Sequence, residues 1–258
     1  MRCLLCAVAA LCVQLSLDAQ GKLEASSYQR AVVSEVTVPF IGCRSEGQAK
    51  ALDAPKGTVT SVPITGEAAQ VLAYYRSALD FGVLAPRGWY CLGISGSGGN
   101  LLFVSPQPID TRRIFAPEYR GFEGPAIEVS VRHSDQNGDR FDKAQIIARV
   151  FPAYKAYVTR LMEGFDFPAS LYPFTPYPLD KLTYRSKEVV EYITPAQTEG
   201  LGTHSSLKKN SSPIDGVAIL SGTPPDLILL AVRLPQKLAR FTPVIVGQVE
   251  REASSRAP

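Results

Sequence analysis

Apolar and polar positions alternate most regularly over Ala126-Ile-Glu-Val-Ser-Val-Arg132, where Ile127, Val129 and Val131 interleave with Glu128, Ser130 and Arg132. A period of two predicts a half-buried strand. Val36–Ile41 is a β-branched run ending at Gly42-Cys43, and Pro39 places it at an edge or entry position. Thr58–Ile64 reads as a second short extended piece, limited by Pro63. Trp89–Ile94 and Leu101–Val104 flank Gly96, Gly98, Gly99 and Asn100, which supply the positive φ angles of a tight hairpin with Ser97 at its tip. Leu182–Ile193 is strand-like. Gly216–Ser221 and Leu227–Leu234 are apolar runs joined by Thr223-Pro-Pro-Asp226, which predicts an antiparallel pair.

Helical spacing occurs in two places. In Thr65–Gly82 the residues Ala68, Val71, Leu72, Tyr75 and Leu79 form one stripe, with Thr65 as N-cap, Glu67 in the first turn and Gly82 as the stop. The second pattern starts at Asp142, with Gln145 placed as in a capping box. It continues through Ile147, Phe151, Tyr154, Val158 and Leu161 to Gly164, and Pro152 inside it should kink or split the helix. Phe165–Asp180 is dense in aromatics and prolines and reads as an ordered irregular segment. Arg44–Gly57 and Glu199–Ser212 are polar loops. Lys237–Glu250 fits either helix or strand, and residues 251–258 read as a frayed tail. Strands in groups with two helices between them predict an α+β domain over residues 36–250, with a mainly antiparallel sheet packed with two helices.

The N-terminus is patterned differently. Met1-Arg2 is a positive head, Cys3–Leu17 is apolar apart from Gln14 and Ser16, and Asp18-Ala-Gln-Gly21 turns polar. This is the layout of a secretory signal peptide, residues 1–19, followed by a polar lead-in over 20–35. It is too short for a good membrane span, so no transmembrane segment is expected after its removal. Leu5 before Cys6 and Leu11 before Cys12 fit a bacterial lipid anchor poorly. Of five cysteines, three fall in the leader, leaving Cys43 and Cys91. Two cysteines in an exported chain most simply form one disulfide.

The 258 residues carry a net charge of +3 with no basic run, which argues against nucleic acid as a partner. Twenty Pro and twenty Gly fit many turns and short strands.

The phrases Val38-Pro-Phe-Ile-Gly-Cys43, Leu84-Ala-Pro-Arg-Gly-Trp89, Val104-Ser-Pro-Gln-Pro108, Ile147-Ala-Arg-Val-Phe-Pro152, Leu182-Thr-Tyr-Arg185 and Gly216-Val-Ala-Ile-Leu220 resemble a family of uncharacterised secreted bacterial proteins. The resemblance implies bacterial export and a single shared domain. It transfers no catalytic residue.

Candidate chemistry is sparse. Gly93-Ile-Ser-Gly-Ser97 departs from a hydrolase nucleophile elbow at its fifth residue and leads into a strand. Gly96-Ser-Gly-Gly99 matches no dinucleotide or phosphate loop. Asp135-Gln-Asn-Gly-Asp139 begins like a calcium loop, but Arg140 stands at position six and Ile146 at position twelve. His133 and His204 are the only imidazoles, with no acid obviously placed beside either. No catalytic residue, cofactor or metal ligand is therefore assigned. The chain reads as a secreted or periplasmic bacterial envelope protein acting as a non-catalytic binding or accessory module. Its partner would be a small molecule, a glycan or another envelope protein. The candidate ligand surface is Trp89, Ser97, Tyr172, Phe174 and Tyr177. The alternative is an extracytoplasmic hydrolase with His204 as base and Ser205 or Ser95 as nucleophile.

Overall fold

The computed structural model describes residues 34–47, 50–79, 81–133, 140–164 and 168–256. The expected leader, most of the lead-in and the Asp135–Asp139 turn lie outside the described residues.

The described strands form two sheets. One has four strands in the order β3-β1-β4-β5: β1 Ser34–Cys43, β3 Val59–Ile64, β4 Leu72–Ser77 and β5 Gly82–Pro86. The other has eight strands in the order β2-β6-β7-β8-β12-β11-β10-β9. These are β2 Ser45–Gly47, β6 Tyr90–Gly96, β7 Gly99–Ser105, β8 Ala126–Arg132, β9 Lys181–Tyr184, β10 Val189–Thr194, β11 Ile214–Ser221 and β12 Asp226–Arg233. Pairing is antiparallel except β1 with β4 and β2 with β6. The helices are α1 Gly66–Val71, α2 Thr111–Ile114, α3 Arg140–Val150, α4 Lys155–Leu161 and α5 Thr242–Arg256. The architecture is the α+β class expected from the grouping of strands. No helix among the described residues is long and apolar enough to cross a membrane.

The largest core fills the space between the two sheets and α5, with Leu102, Val104, Ile127, Val129, Val131, Leu230 and Val232 facing Leu72, Tyr75, Leu84 and Val249. Cys43 and Cys91 are joined by a disulfide with their Cα atoms 5.5 Å apart. Trp89 lies partly buried against the same core, and its backbone N–H donates to the Tyr75 hydroxyl at 3.1 Å. A second core lies under α3 and α4 on the opposite face of β10, β11 and β12. There Pro152 divides the helical run, as its missing N–H dictates: α3 stops at Val150, a 3-10 turn spans Pro152–Tyr154, and α4 follows.

Several expectations need correction. Arg44–Gly57, read as a polar loop, contains the short strand β2, and Leu182–Ile193 is not one strand but the antiparallel pair β9 and β10. The helix read over Thr65–Gly82 ends at Val71. Thr65 does cap it, accepting the Ala68 N–H at 3.2 Å. Beyond it, Val71–Tyr75 is apolar at every position, and a run buried on both sides suits a strand flanked by β1 and β5. Gly82 sits in β5, where an added Cβ would fall 2.3 Å from the Tyr74 ring. The cap assigned to Asp142 lies too late, because α3 already begins at Arg140, and the Gln145 amide instead donates to the Leu171 carbonyl at 2.9 Å. The tail expected from Arg251 is the last part of α5. It is held because Gln248 accepts the Leu84 N–H at 2.9 Å and Glu252 accepts the Tyr74 hydroxyl at 2.7 Å.

Candidate functional site

β8 runs between β7 and β12 near the middle of the larger sheet, and all seven of its residues are buried. Alternation puts Ile127, Val129 and Val131 into the inter-sheet core and sends Glu128, Ser130 and Arg132 to the other face. Beside the polar side of β8, that second face carries apolar residues on both flanks together with Arg233 on β12 and Ser105 on β7. Leu92, Ile94 and Phe103 cover it toward β6 and β7, and Leu229, Leu220 and Ala218 toward β12 and β11. The strand was expected to be half-buried. Its polar side is instead enclosed and forms the floor of a cleft of about 430 Å³. Ser97, Asn100, Glu128, Arg132, His204 and Lys208 are among its lining residues. That volume lies within the range of small-molecule sites, roughly 300–1,000 Å³.

The floor is fixed from several elements. Glu128 accepts the Ser206 N–H at 2.6 Å, and Arg132 donates to Ser130 Oγ at 3.1 Å. The Ser206 carbonyl accepts the Phe122 N–H at 2.7 Å, and the Lys208 N–H donates to the Phe122 carbonyl at 3.0 Å. Arg233, on β12, reaches the carbonyls of Phe122, Glu123 and Gly124 at 3.3 Å each and also bonds the Lys208 carbonyl. The 3-10 turn Leu201–His204 is held by Asp180, which accepts the Leu201 N–H at 2.7 Å and the Thr194 hydroxyl at 2.8 Å. His204 thereby reaches the Tyr177 hydroxyl, with which its Nε2 is hydrogen-bonded.

Burial shifts several of these groups. It pushes the Glu128 carboxyl up, against the opposing pull of the Ser206 hydrogen bonds and of Arg132 and Lys208. Burial and then the Glu128 charge push the Tyr119 phenol up to about 12. His204 is lowered, chiefly by burial, with Asp142 acting against the shift. Folded protein therefore keeps His204 neutral at pH values where the unfolded chain, with an ordinary pKa of about 6.5, takes a proton. Stability should rise with pH from the lowered folded pKa to about 6.5, because the unfolded state binds more protons across that window. Urea unfolding at a series of pH values should show this slope and its flattening in His204→Gln. Equal slopes in the two proteins would contradict the assignment.

The residues singled out from the sequence are separated. Ser97, exposed at the hairpin tip, lines the cleft, and Tyr177 stands behind His204. Trp89 packs into the inter-sheet core. Tyr172 and Phe174 pack against the α3–α4 core, and Tyr177 is covered by the Arg149 guanidinium 4.0 Å from its ring. The five do not make one ligand surface. Ser205 lines the cleft, but its hydroxyl donates to the Gly202 carbonyl at 2.6 Å and accepts the Leu207 N–H at 3.0 Å. Ser95 shares its side of β6 with Cys91 and Gly93, opposite to Leu92 and the cleft-lining Ile94. His133 does have an acid: its Nδ1 lies 3.3 Å from Asp226, and Asn100 Nδ2 is 3.2 Å from its Nε2. Among the described residues no three His, Cys, Asp or Glu side chains gather to hold a metal.

Glu128, Arg132, Tyr119 and Lys208 were missed by the sequence reading. The signal was the charged half of the β8 alternation, which marks Glu128 and Arg132 but not Tyr119 or Lys208. Comparison with protein families, curated proteins and solved structures finds no match to this chain.

Proposed function

We propose that this is an exported bacterial envelope protein that works as a non-catalytic binding module, holding a small polar molecule in the cleft over β8. One observation carries the reading: a central, fully buried strand presents Glu128, Ser130 and Arg132 at the base of an opening of about 430 Å³. Partners within the fold hold these groups in place, the Ser206 N–H on Glu128 and Ser130 on Arg132, so the opening has a fixed polar base to set against a polar molecule. The committed hydroxyl of Ser205 and the opposite-facing Ser95 lend no support to the hydrolase alternative. Export is favoured by the leader pattern at residues 1–19 and by the disulfide, which suits an oxidising compartment.

A thermal-shift screen of the purified protein against a broad library of polar metabolites tests the binding reading, with saturable stabilisation as the expected result. A fluorophosphonate probe tests the alternative, and no labelling is expected. Labelling that disappears in His204→Ala would overturn the non-catalytic assignment. Cell fractionation should place the protein outside the cytoplasm, and retention inside would remove the envelope assignment.

A further inference from the structure

We infer that the cleft is built for a small organic anion, whose carboxylate or phosphate oxygens meet Tyr119, Lys208 and Arg120. This deepens the binding reading above and rests on it. The first ground is the type of hydrogen-bonding group that lines the cleft. Arg120, Arg132 and Lys208 can only donate. Tyr119 also lines the cleft, and its hydroxyl is shut off from bulk water without a partner in the fold. With its phenol pushed up to about 12, Tyr119 keeps its proton at any physiological pH and can donate it. A buried donor left unpaired costs about 1–3 kcal/mol, so an acceptor arriving there is favoured.

The second ground is charge. With Glu128 and Arg132 set against one another on the floor, Arg120 and Lys208 remain in the lining against Asp142. Glu128 is already answered from within the fold, by the Ser206 N–H and by the nearby charges of Arg132 and Lys208. An ammonium ligand would meet this excess of cations unfavourably. A neutral polyol would leave it uncompensated. A carboxylate or phosphate accepts from every one of these donors and offsets the charge.

The third ground is how Lys208 is placed. Its backbone is pinned on both sides, N–H to Phe122 and carbonyl to Arg233. Its side chain runs over Gly121, where an added Cβ would fall 2.8 Å from Lys208 Cε. Gly121 has φ +90°, so the same residue meets a backbone need and leaves room for the lysine.

The experiment is a thermal-shift and calorimetric titration of the purified protein with acetate, malonate, succinate, citrate, inorganic phosphate and glycerol phosphate. Glucose, glycerol and choline serve as neutral and cationic comparators. At least one anion should raise Tm saturably, with affinity that falls as salt is added, because Lys208 and Arg120 are exposed and screened. Tyr119→Phe and Lys208→Gln should each weaken that anion by about tenfold or more. The unliganded Tm of Tyr119→Phe should equal or exceed the parent's, since the substitution removes a buried hydroxyl that has no partner within the fold. Competition between the compounds decides between carboxylate and phosphate. Glucose, glycerol or choline binding while every anion fails would overturn the anion inference and leave the binding module standing. No binding by any compound would overturn both. Anion affinities unchanged in Tyr119→Phe and Lys208→Gln would overturn the placement.

Discussion

Replacing Cys43 and Cys91 together by serine should lower stability by about 4 kcal/mol, the loop-closure value for cysteines 48 residues apart. For a chain of this size each kcal/mol moves Tm by about 2–4 °C, so the double variant should melt about 8–16 °C lower. The bridge has leverage beyond loop length. Cys43 ends β1 in the four-stranded sheet and Cys91 lies in β6 of the eight-stranded one, so the bond ties the two walls of the main core together. Trp89, the only tryptophan, packs partly buried on that core and reports its loss by fluorescence. Urea unfolding of oxidised parent, reduced parent and double serine variant is the measurement. Reduced parent and variant should coincide. An unchanged midpoint in both would show that the sheets hold together without the bond.

Arg233→Met should cost about 3 kcal/mol or more and should loosen the cleft. Arg233 is a buried cation bonded to four backbone carbonyls, those of Phe122, Glu123, Gly124 and Lys208. Methionine fills much of the same volume, so the cost is mainly that of carbonyls left without donors. Those carbonyls belong to the two chain segments that close one side of the cleft. Limited proteolysis should therefore cut the segments around Phe122 and Lys208 faster in the variant. Arg233→Lys should recover little, because an ammonium lacks the flat fork that spans several carbonyls. A parent-like unfolding midpoint together with parent-like protease resistance would remove Arg233 from this role.

Local pattern carried much of the fold. The hairpin over Trp89–Val104, the pair β11–β12 and the break at Pro152 each follow from a few neighbouring residues, although of the four hairpin positions expected at positive φ only Gly99 takes it. Val71–Tyr75 was not decided locally. Its residues satisfy helical spacing and also make a continuous apolar run, and only the presence of β1 on one side and β5 on the other selects the strand. Lys237–Glu250 stayed open for a similar reason. α5 is settled by contacts such as Gln248 with Leu84 and Glu252 with Tyr74, 164 and 178 residues apart.

The sequence alone determined the class of fold, the hairpin and the pairing of Cys43 with Cys91. These depend on periodicity, turn chemistry and elimination, which are properties of short stretches or of a count. The tertiary structure alone decided the site. The alternation in β8 shows that Glu128, Ser130 and Arg132 share one face, but whether that face meets solvent depends on strands more than twenty residues away in either direction. Only the sheet order β7-β8-β12, with Phe122, His204 and Lys208 folded over it, turns an ordinary polar face into an enclosed floor. Enclosure is a long-range property of packing, and burial is what pushes the Glu128 carboxyl up and the His204 imidazole down.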